Sequence, residues 1–464
     1  MFVSFFLLWL IICFFIIQFK SRRPKNFPPG PITLPLLGNL HNLSLDNPLQ
    51  DFERLRLKYG NIYSLYLGSK PMVMLCGVQA IKEALVNKAV EFAGRPQDMY
   101  VNITTESKGV ILADYGPRWK EHRRFALMTL RNFGLGKQSM EERILAELQH
   151  TSADLESSIG KCDNPQVMFH NASSNIICQV LFGMRFDYND WTMKEIVRCF
   201  TENAKLANGP WAMVMLHTVP FSCCLSCKFF DHIISADQRK YIMGLLYNDP
   251  DSTFSEDLLS MYSLDLHFAG TDTTSNTLLT GFLYLMTNPD IQERCQAEID
   301  RVLEGKDKAC FEDRHNMPYV QAVIHEMQRI ANTVPLSVFH NTTKDTEVMG
   351  YTIPKGTMVI PNLSSVLSEE GQWKFPRGFH PENFLNDQGE FVKPEAFMPF
   401  SAGPRMCLGE GLARMELFLI TVTLLRKFKF IWPEDAGEPD YTPVYGVTLT
   451  PKPYFMKVQL REMH

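Results

Sequence analysis

The chain lacks an excess of basic charge, internal repeats, low-complexity tracts and any regular spacing of its cysteines. Lys and Arg number 46 against 51 Asp and Glu, a net charge of −5 that offers nucleic acid no electrostatic footprint. The 11 cysteines are odd in number and scattered, which suits a reducing compartment better than a disulfide scaffold. One cluster exists, Cys223, Cys224 and Cys227, but no second pair and no His-x-x-x-His follows it, which argues against zinc. What remains is a globular composition, 45% hydrophobic and 21% charged, in a chain longer than an average domain.

Charge is also missing from the first nineteen residues. Met1 to Phe19 carries none, and Lys20, Arg22, Arg23 and Lys25 follow at once. At 1.5 Å per residue this run spans about 28 Å, close to the hydrocarbon thickness of a bilayer. No small-residue cleavage site separates it from the basic cluster, so the expectation is a retained anchor helix over 1–19. The positive-inside rule then puts the rest of the chain in the cytosol. The sequons at Asn42, Asn102, Asn171, Asn341 and Asn362 would therefore carry no glycan. A basic, Pro-rich linker over 20–35 leads into a single domain over 36–464.

That domain reads as mainly helical with small sheets. Residues 60–77 are β-branched and aromatic around a Gly-Ser-Lys-Pro turn, predicting a hairpin. Short β signals return at 347–360 and 447–458. The longest helical stretch runs from Ser255, a candidate N-cap, to Asn288 before Pro289. Its centre, Ala269-Gly270-Thr271-Asp272-Thr273-Thr274, places polar residues and a glycine where burial makes them costly, which points to function.

The residues FSAGPRMCLGEG, 400–411, set Cys407 between glycines at what reads as the start of a helix opening at Leu408. Gly403 permits a tight turn. A helix N-terminus and Arg405 both favour thiolate over thiol, and Gly409 would let a flat object approach. These features describe a thiolate ligating a planar cofactor, with a core cysteine in a Gly-rich turn as the bland alternative. The full pattern Phe400-x-x-Gly403-x-Arg405-x-Cys407-x-Gly409 resembles the haem-binding signature of cytochromes P450, and further motifs of that family follow in order along nearly the whole chain. Their wording looks most like family 2 of the vertebrate microsomal enzymes.

The resemblance implies haem b, with Cys407 as axial iron ligand and Phe400, Arg405 and Gly409 beside it. It implies that Trp119 and Arg123, one helical turn apart, reach a haem propionate, and that Arg95 and His340 serve the other propionate contacts. Ala269, Asp272 and Thr273 match the oxygen-activation groove. There the Thr273 hydroxyl can back-bond to the Ala269 carbonyl, open the helix and admit a proton path in which Asp272 is the relay. Glu326 and Arg329 would form a buried structural pair with Asn383 as third partner, in place of the family's arginine. Substrate contacts would fall in Val101–Ala113, Thr201–Ala207, Val334–Phe339 and Val444–Val447. In those segments Ile111, Leu112, Val334, Leu336, Val338, Phe339, Val444 and Val447 make an apolar lining suited to lipophilic molecules.

The implied activity is a monooxygenase taking electrons from NADPH only indirectly, through NADPH-cytochrome P450 reductase and potentially cytochrome b5, on the endoplasmic reticulum membrane. The basic run Arg118, Lys120, Arg123 and Arg124 is a candidate docking face for an acidic donor. Two departures stand out. Pro404 replaces a commonly basic residue, and the chain is short by some residues around 246–252, between a helix expected at Phe230–Leu246 and Ser255. The shortened lid leaves open a non-catalytic or defective haem-binding variant; an oxygen-independent isomerase is the other alternative, against which Asp272 and Thr273 argue.

Overall fold

A computed structural model describes Trp9 and residues 23–44, 46–99, 102, 106–132, 138–191, 194–195, 198 and 255–462, and in it the hairpin expected at 60–77 forms. The anchor expected at 1–19 apart from Trp9, the substrate segment 201–207, the cysteine cluster, the helix at 230–246 and the shortened join at 246–252 lie outside these residues. Helix α1 (Leu49–Tyr59) leads into β1 (Ile62–Leu67) and β2 (Lys70–Cys76), antiparallel with Ile62 opposite Leu75 and Leu67 opposite Lys70. Further on, β4 (His340–Asn341) follows a tiny strand β3 (Cys162–Asp163), and β5 (Thr346–Val348) and β6 (Tyr351–Ile353) make a second hairpin. Strand β7 (Met358–Asn362) lies parallel to β2, giving the sheet order β1-β2-β7-β4. Strands β8 (Phe428–Ile431), β9 (Pro443–Val444), β10 (Thr450–Pro451) and β11 (Met456–Leu460) complete the small sheets near the C-terminus.

Helices carry the rest: α2 (Pro117–Asn132), α3 (Gln138–Ser157), α4 (Pro165–Phe182), α5 (Glu256–Thr287), α6 (Pro289–Val302), α7 (Pro318–Ala331) and α8 (Glu410–Lys427). The 32 residues of α5 span about 48 Å. Ser255 caps it, its hydroxyl accepting from the Leu258 amide, and Pro289 opens the next helix. The main core joins α4, α5, α6, α7 and α8 through Ile177, Phe282, Ile299, Met327 and Leu419. The mid-helix glycine has a packing reason: a Cβ on Gly270 would stand 2.4 Å from Ile177 Cδ1, so its absence lets α4 lie close against α5. Among the described residues no helix is long and apolar enough to cross a membrane.

Glu326 and Arg329 sit one turn apart on α7 and face inward, with side chains 0% and 2% exposed. Two 2.7 Å hydrogen bonds join them. Arg329 also donates to the carbonyls of Leu367, Pro376 and Gly378. Glu326 accepts from the His380 amide at 2.7 Å and from the Asn383 amide at 3.3 Å. Asn383 in turn bridges both backbone groups of Phe375. Asn383 thus supplies a neutral donor where a second arginine would bring a second charge. Removing one member of a buried pair leaves the other uncompensated, so Glu326→Ala should cost about 3–5 kcal/mol, measured as a fall in the urea midpoint, with Glu326→Gln costing less.

Candidate functional site: a cysteine beneath a cluster of cations

The Cys407 loop is shaped by one glycine. Gly403 has φ +73, and a Cβ there would lie 1.8 Å from the Leu85 carbonyl oxygen, so no other residue fits the turn. The Cys407 amide donates to the Phe400 carbonyl at 3.0 Å, tying the loop back on itself, and Arg414 lies 5.4 Å over the Phe400 ring. Helix α8 starts at Glu410 with Gly409 as N-cap, two residues later than the expected opening at Leu408. The amides of Gly409 and Glu410 therefore lie close enough to the sulfur to favour its charged form. Only Cys407 Sγ lies within 4 Å of a Cβ built on Gly409, so that side of the turn is open.

Cys407 is open to solvent but recessed in protein, and its thiol is pushed up by burial, against the pull of the Gly409 amide and Arg123. Arg405 does not provide that pull, contrary to expectation. Its guanidinium turns away, donating to the carbonyls of Ala93 and Ala113 at 2.8 Å and lying 3.9 Å over the Trp119 ring.

Arg405 belongs to a cluster. Arg95 donates to the carbonyls of Ile111, Val338 and Phe339. Arg123 stands 5.6 Å over Trp119 and bonds the Met406 carbonyl. His340 Nδ1 is 2.7 Å from the Phe92 carbonyl, so that nitrogen carries the hydrogen and Nε2 stays available. Burial, then the charges of Arg405 and Arg123, holds Arg95 well below its usual range. Burial, with Arg123 adding to it and Asp114 opposing, pushes Arg405 down to about 9. His340 is pushed down by burial and then by Arg95. Arg405 Nη1 is buried without an acceptor among the described residues. Crowded guanidiniums, one with an orphaned N–H, are what an anion with two carboxylates would neutralise. Trp119 differs from expectation, since its indole N–H donates to the Val110 carbonyl at 2.9 Å and its ring supports the arginines.

Helix α5 meets the loop that carries this cluster at Val110 and Ile111. Asp265, Ala269 and Thr273, spaced i, i+4, i+8, form a partly exposed stripe on a helix otherwise largely buried. The Thr273 hydroxyl donates to the Ala269 carbonyl at 2.7 Å. The Asp272 carboxylate accepts from the Thr448 hydroxyl at 2.6 Å.

Sequence reasoning missed Asp265. Its Oδ2 accepts from the amides of Val110 at 2.7 Å and Ile111 at 3.0 Å, pinning that loop to α5. The signal was present as a lone acid in the run Ser263-Leu264-Asp265-Leu266. Of the candidate substrate contacts, Ile111, Leu112, Val334, Val338 and Phe339 are partly exposed. Leu336 is instead core, 5% exposed among Phe52, Met74 and Ile360. Val444 and Val447 are 46% and 45% exposed.

An open cysteine beside crowded, buried guanidiniums, whose charge Asp114 offsets only in part, is an arrangement that could hold a thiolate-ligated, carboxylate-bearing cofactor. The sequence model of the cytochrome P450 family matches residues 28–244 and 226–458. Mouse cytochrome P450 2D10 is 38% identical over 99% of this chain and 97% of its own length. Human cytochrome P450 2J2 is 41% identical over 93% of this chain and 91% of its own. For human cytochrome P450 2D6 the identity is 39%, over 94% of each chain. The chain belongs to the cytochrome P450 family, its curated relatives are family 2 enzymes, and its activity is that of a P450 monooxygenase with haem b, electrons coming from NADPH through a reductase. The alignment with the 2D10 enzyme runs over 496 residues, more than this chain's 464, so this chain lacks residues the relative has.

Burial pushes the Asp265 carboxyl up to about 6, against the Ile111 and Val110 amides. An acid with a raised folded pKa binds its proton more tightly folded than unfolded, so stability falls as pH rises from about 4 to about 6. Urea midpoints of wild type and Asp265→Asn across that window should show this slope in the wild type and lose it in the variant.

Proposed function

We propose that Cys407 is the axial ligand of haem b and that Arg95, Arg123, Arg405 and His340 hold its propionates, with Trp119 as the platform under the arginines. The observation that carries this reading is the guanidinium cluster, with the buried, unpartnered Nη1 of Arg405, around an open cysteine. Bound haem supplies the activation of dioxygen and the transfer of one oxygen atom to a lipophilic substrate, the second leaving as water with two electrons and two protons. The chain's own groups do the rest. Gly403 and Phe400 fix the cysteine loop, and Gly409 leaves the cofactor face clear. Ala269 gives up its carbonyl to Thr273, whose hydroxyl is then the nearest proton donor, with Asp272 behind it. Ile111, Leu112, Val334, Val338 and Phe339 shape an apolar cavity for fatty acids, steroids or xenobiotics, with Val444 and Val447 at its rim. Glu326, Arg329 and Asn383 stiffen the fold without entering the chemistry.

The electron donor docks on the other side of Cys407. A surface pocket of about 400 Å³ is lined by Lys120, Arg123, Arg124, Leu127, Met128 and Pro404, and Leu127 and Met128 are 45% and 51% exposed. Cations around exposed apolar side chains suit an acidic protein such as NADPH-cytochrome P450 reductase or cytochrome b5. The charge-free run 1–19 and the basic linker 20–35 anchor domain 36–464 to the cytosolic side of the endoplasmic reticulum membrane. A second reading, a haem protein that turns over poorly, rests on the residues missing relative to the 2D10 enzyme.

The reduced, carbon-monoxide-bound protein should show the red-shifted Soret band of thiolate haem, and Cys407→Ala should lose it; a band typical of histidine-ligated haem would overturn the assignment. A thiolate spectrum without NADPH consumption alongside reductase would favour the second reading. Thr273→Ala should raise the hydrogen peroxide formed per NADPH at the expense of product, by about tenfold, and unchanged partitioning would remove Thr273 from the mechanism.

A further inference from the structure

Asp272 is approached from two sides, by a residue of the terminal segment and by one of α4. Thr448 donates to Oδ2 at 2.6 Å. On the other side His170 Nε2 lies 3.7 Å from Oδ1, the two side chains only 10% and 11% exposed. The other ring nitrogen of His170, Nδ1, is 2.8 Å from the Gln166 carbonyl. A carbonyl can only accept, so Nδ1 carries a hydrogen and Nε2 is the nitrogen that can gain or lose a proton, facing the carboxylate. The gap is one that a single water or a small side-chain shift closes. Helix α4 is held at this distance because Gly270, two residues before Asp272, admits Ile177.

The remaining groups nearby are occupied elsewhere. His267, on α5, is 3.0 Å from the Ser174 hydroxyl, and burial pushes it down to about 3, so it stays neutral. Among the described residues no other acid or base is within ion-pair distance of His170 or Asp272.

We infer that His170 is the group behind Asp272 in the proton path, a positioning and proton-supplying residue for the reaction. This rests on the reading of Asp272 and Thr273 as the proton-delivering pair. In the step itself the Nε2–H bond of the imidazolium breaks and an O–H bond forms on Asp272 Oδ1. The imidazole is left neutral and regains its proton from solvent through its open tenth, and no electron moves. Thr448 fixes the far oxygen meanwhile, so the carboxyl keeps one orientation until it gives its proton toward Thr273.

The test uses the haem-loaded protein with reductase, lauric acid as lipophilic probe, and the variants His170→Gln and His170→Phe. With proton supply slowed, NADPH consumption at saturating probe should fall about fivefold or more, at unchanged half-saturating concentration. The ratio of rates in H2O and D2O should at least double. A readout independent of turnover is the carboxylate infrared band of Asp272, identified by its loss in Asp272→Asn, which should shift in His170→Gln. Adding His170→Gln to Asp272→Asn should produce no further loss, since the two act in series. Unchanged rate, isotope ratio and infrared band, in variants that keep the thiolate carbon monoxide spectrum, would overturn the inference. If His170→Phe fails to bind haem, the milder His170→Gln decides. If the wild type itself lacks the thiolate band, the failure belongs to Cys407, and the infrared comparison still decides whether His170 and Asp272 are in contact.

Discussion

The carboxylate of Asp265 holds the segment from which the cation cluster is hung. It captures the amides of Val110 and Ile111, and the carbonyls that follow then point the other way. Val110 receives Trp119, Ile111 receives Arg95, Leu112 receives Asn102, and Ala113 receives Arg405. Four successive carbonyls thus position one aromatic platform, two arginines and Asn102, and all four depend on how one loop is fastened to α5. The fastening is charge-assisted, which makes each bond stronger than a neutral one. Its cost is an acid with no cation against it among the described residues, visible in the upward push on its carboxyl.

The cluster positioned in this way is unfavourable by itself. Arg95, Arg123 and Arg405 are all held below their usual range, with burial the first cause in each case. Asp114 is an acid whose charge reaches Arg95 and Arg405. Guanidiniums gathered in this way are costly until an anion meets them, so on the proposed reading cofactor binding and folding stability would be linked. The same field reaches the sulfur, where Arg123 and the Gly409 amide oppose the burial that raises the thiol. Arg123 therefore bears on both the cation cluster and the sulfur.

How much of this was legible in the sequence depends on the range of the signal. The hairpin at 62–76 and the helix from Ser255 to Asn288 are local, written in side-chain alternation, an N-cap and a proline, and both form with nearly the expected limits. The Thr273 back-bond is local too. Gly403 was legible as a turn, but that it must clear the Leu85 carbonyl is a contact across more than three hundred residues. The orientation of Arg405 away from Cys407, and the loss of the Trp119 N–H to Val110, also depend on distant chain segments that no spacing rule reports. The start of α8 at Glu410 was missed by two residues, because Leu408 and Gly409 still belong to the turn that carries the cysteine. Asp265 and His170 escaped because a single polar residue in a helix has no pattern; only the partner it meets gives it meaning.

The polar centre of α5 shows how such costs are distributed. A helix buried on most sides should be apolar throughout, yet residues 271–277 are almost entirely hydroxyl, acid and amide. Thr273 and Thr277 donate to the carbonyls one turn back, at Ala269 and Thr273, and Ser275 turns to Thr271 in the same way. Thr274 reaches Glu416 on α8 at 3.1 Å, and Asp272 reaches Thr448. Those five side chains tie α5 either to its own previous turn or to a neighbouring segment, while the Thr271 hydroxyl and the Asn276 side-chain amide are buried without a hydrogen-bond partner among the described residues. Back-bonded hydroxyls at i−4 loosen the carbonyls they occupy and bend a helix, a defect when isolated. Three of them spaced two residues apart, beside an acid held from the terminal segment, occupy the carbonyls of Ala269, Thr271 and Thr273 in the middle of a continuous helix of 32 residues. Buried apolar side chains on either side, Leu258 and Tyr262 before this stretch and Leu278 and Phe282 after it, hold the helix in the core while its polar centre makes these bonds.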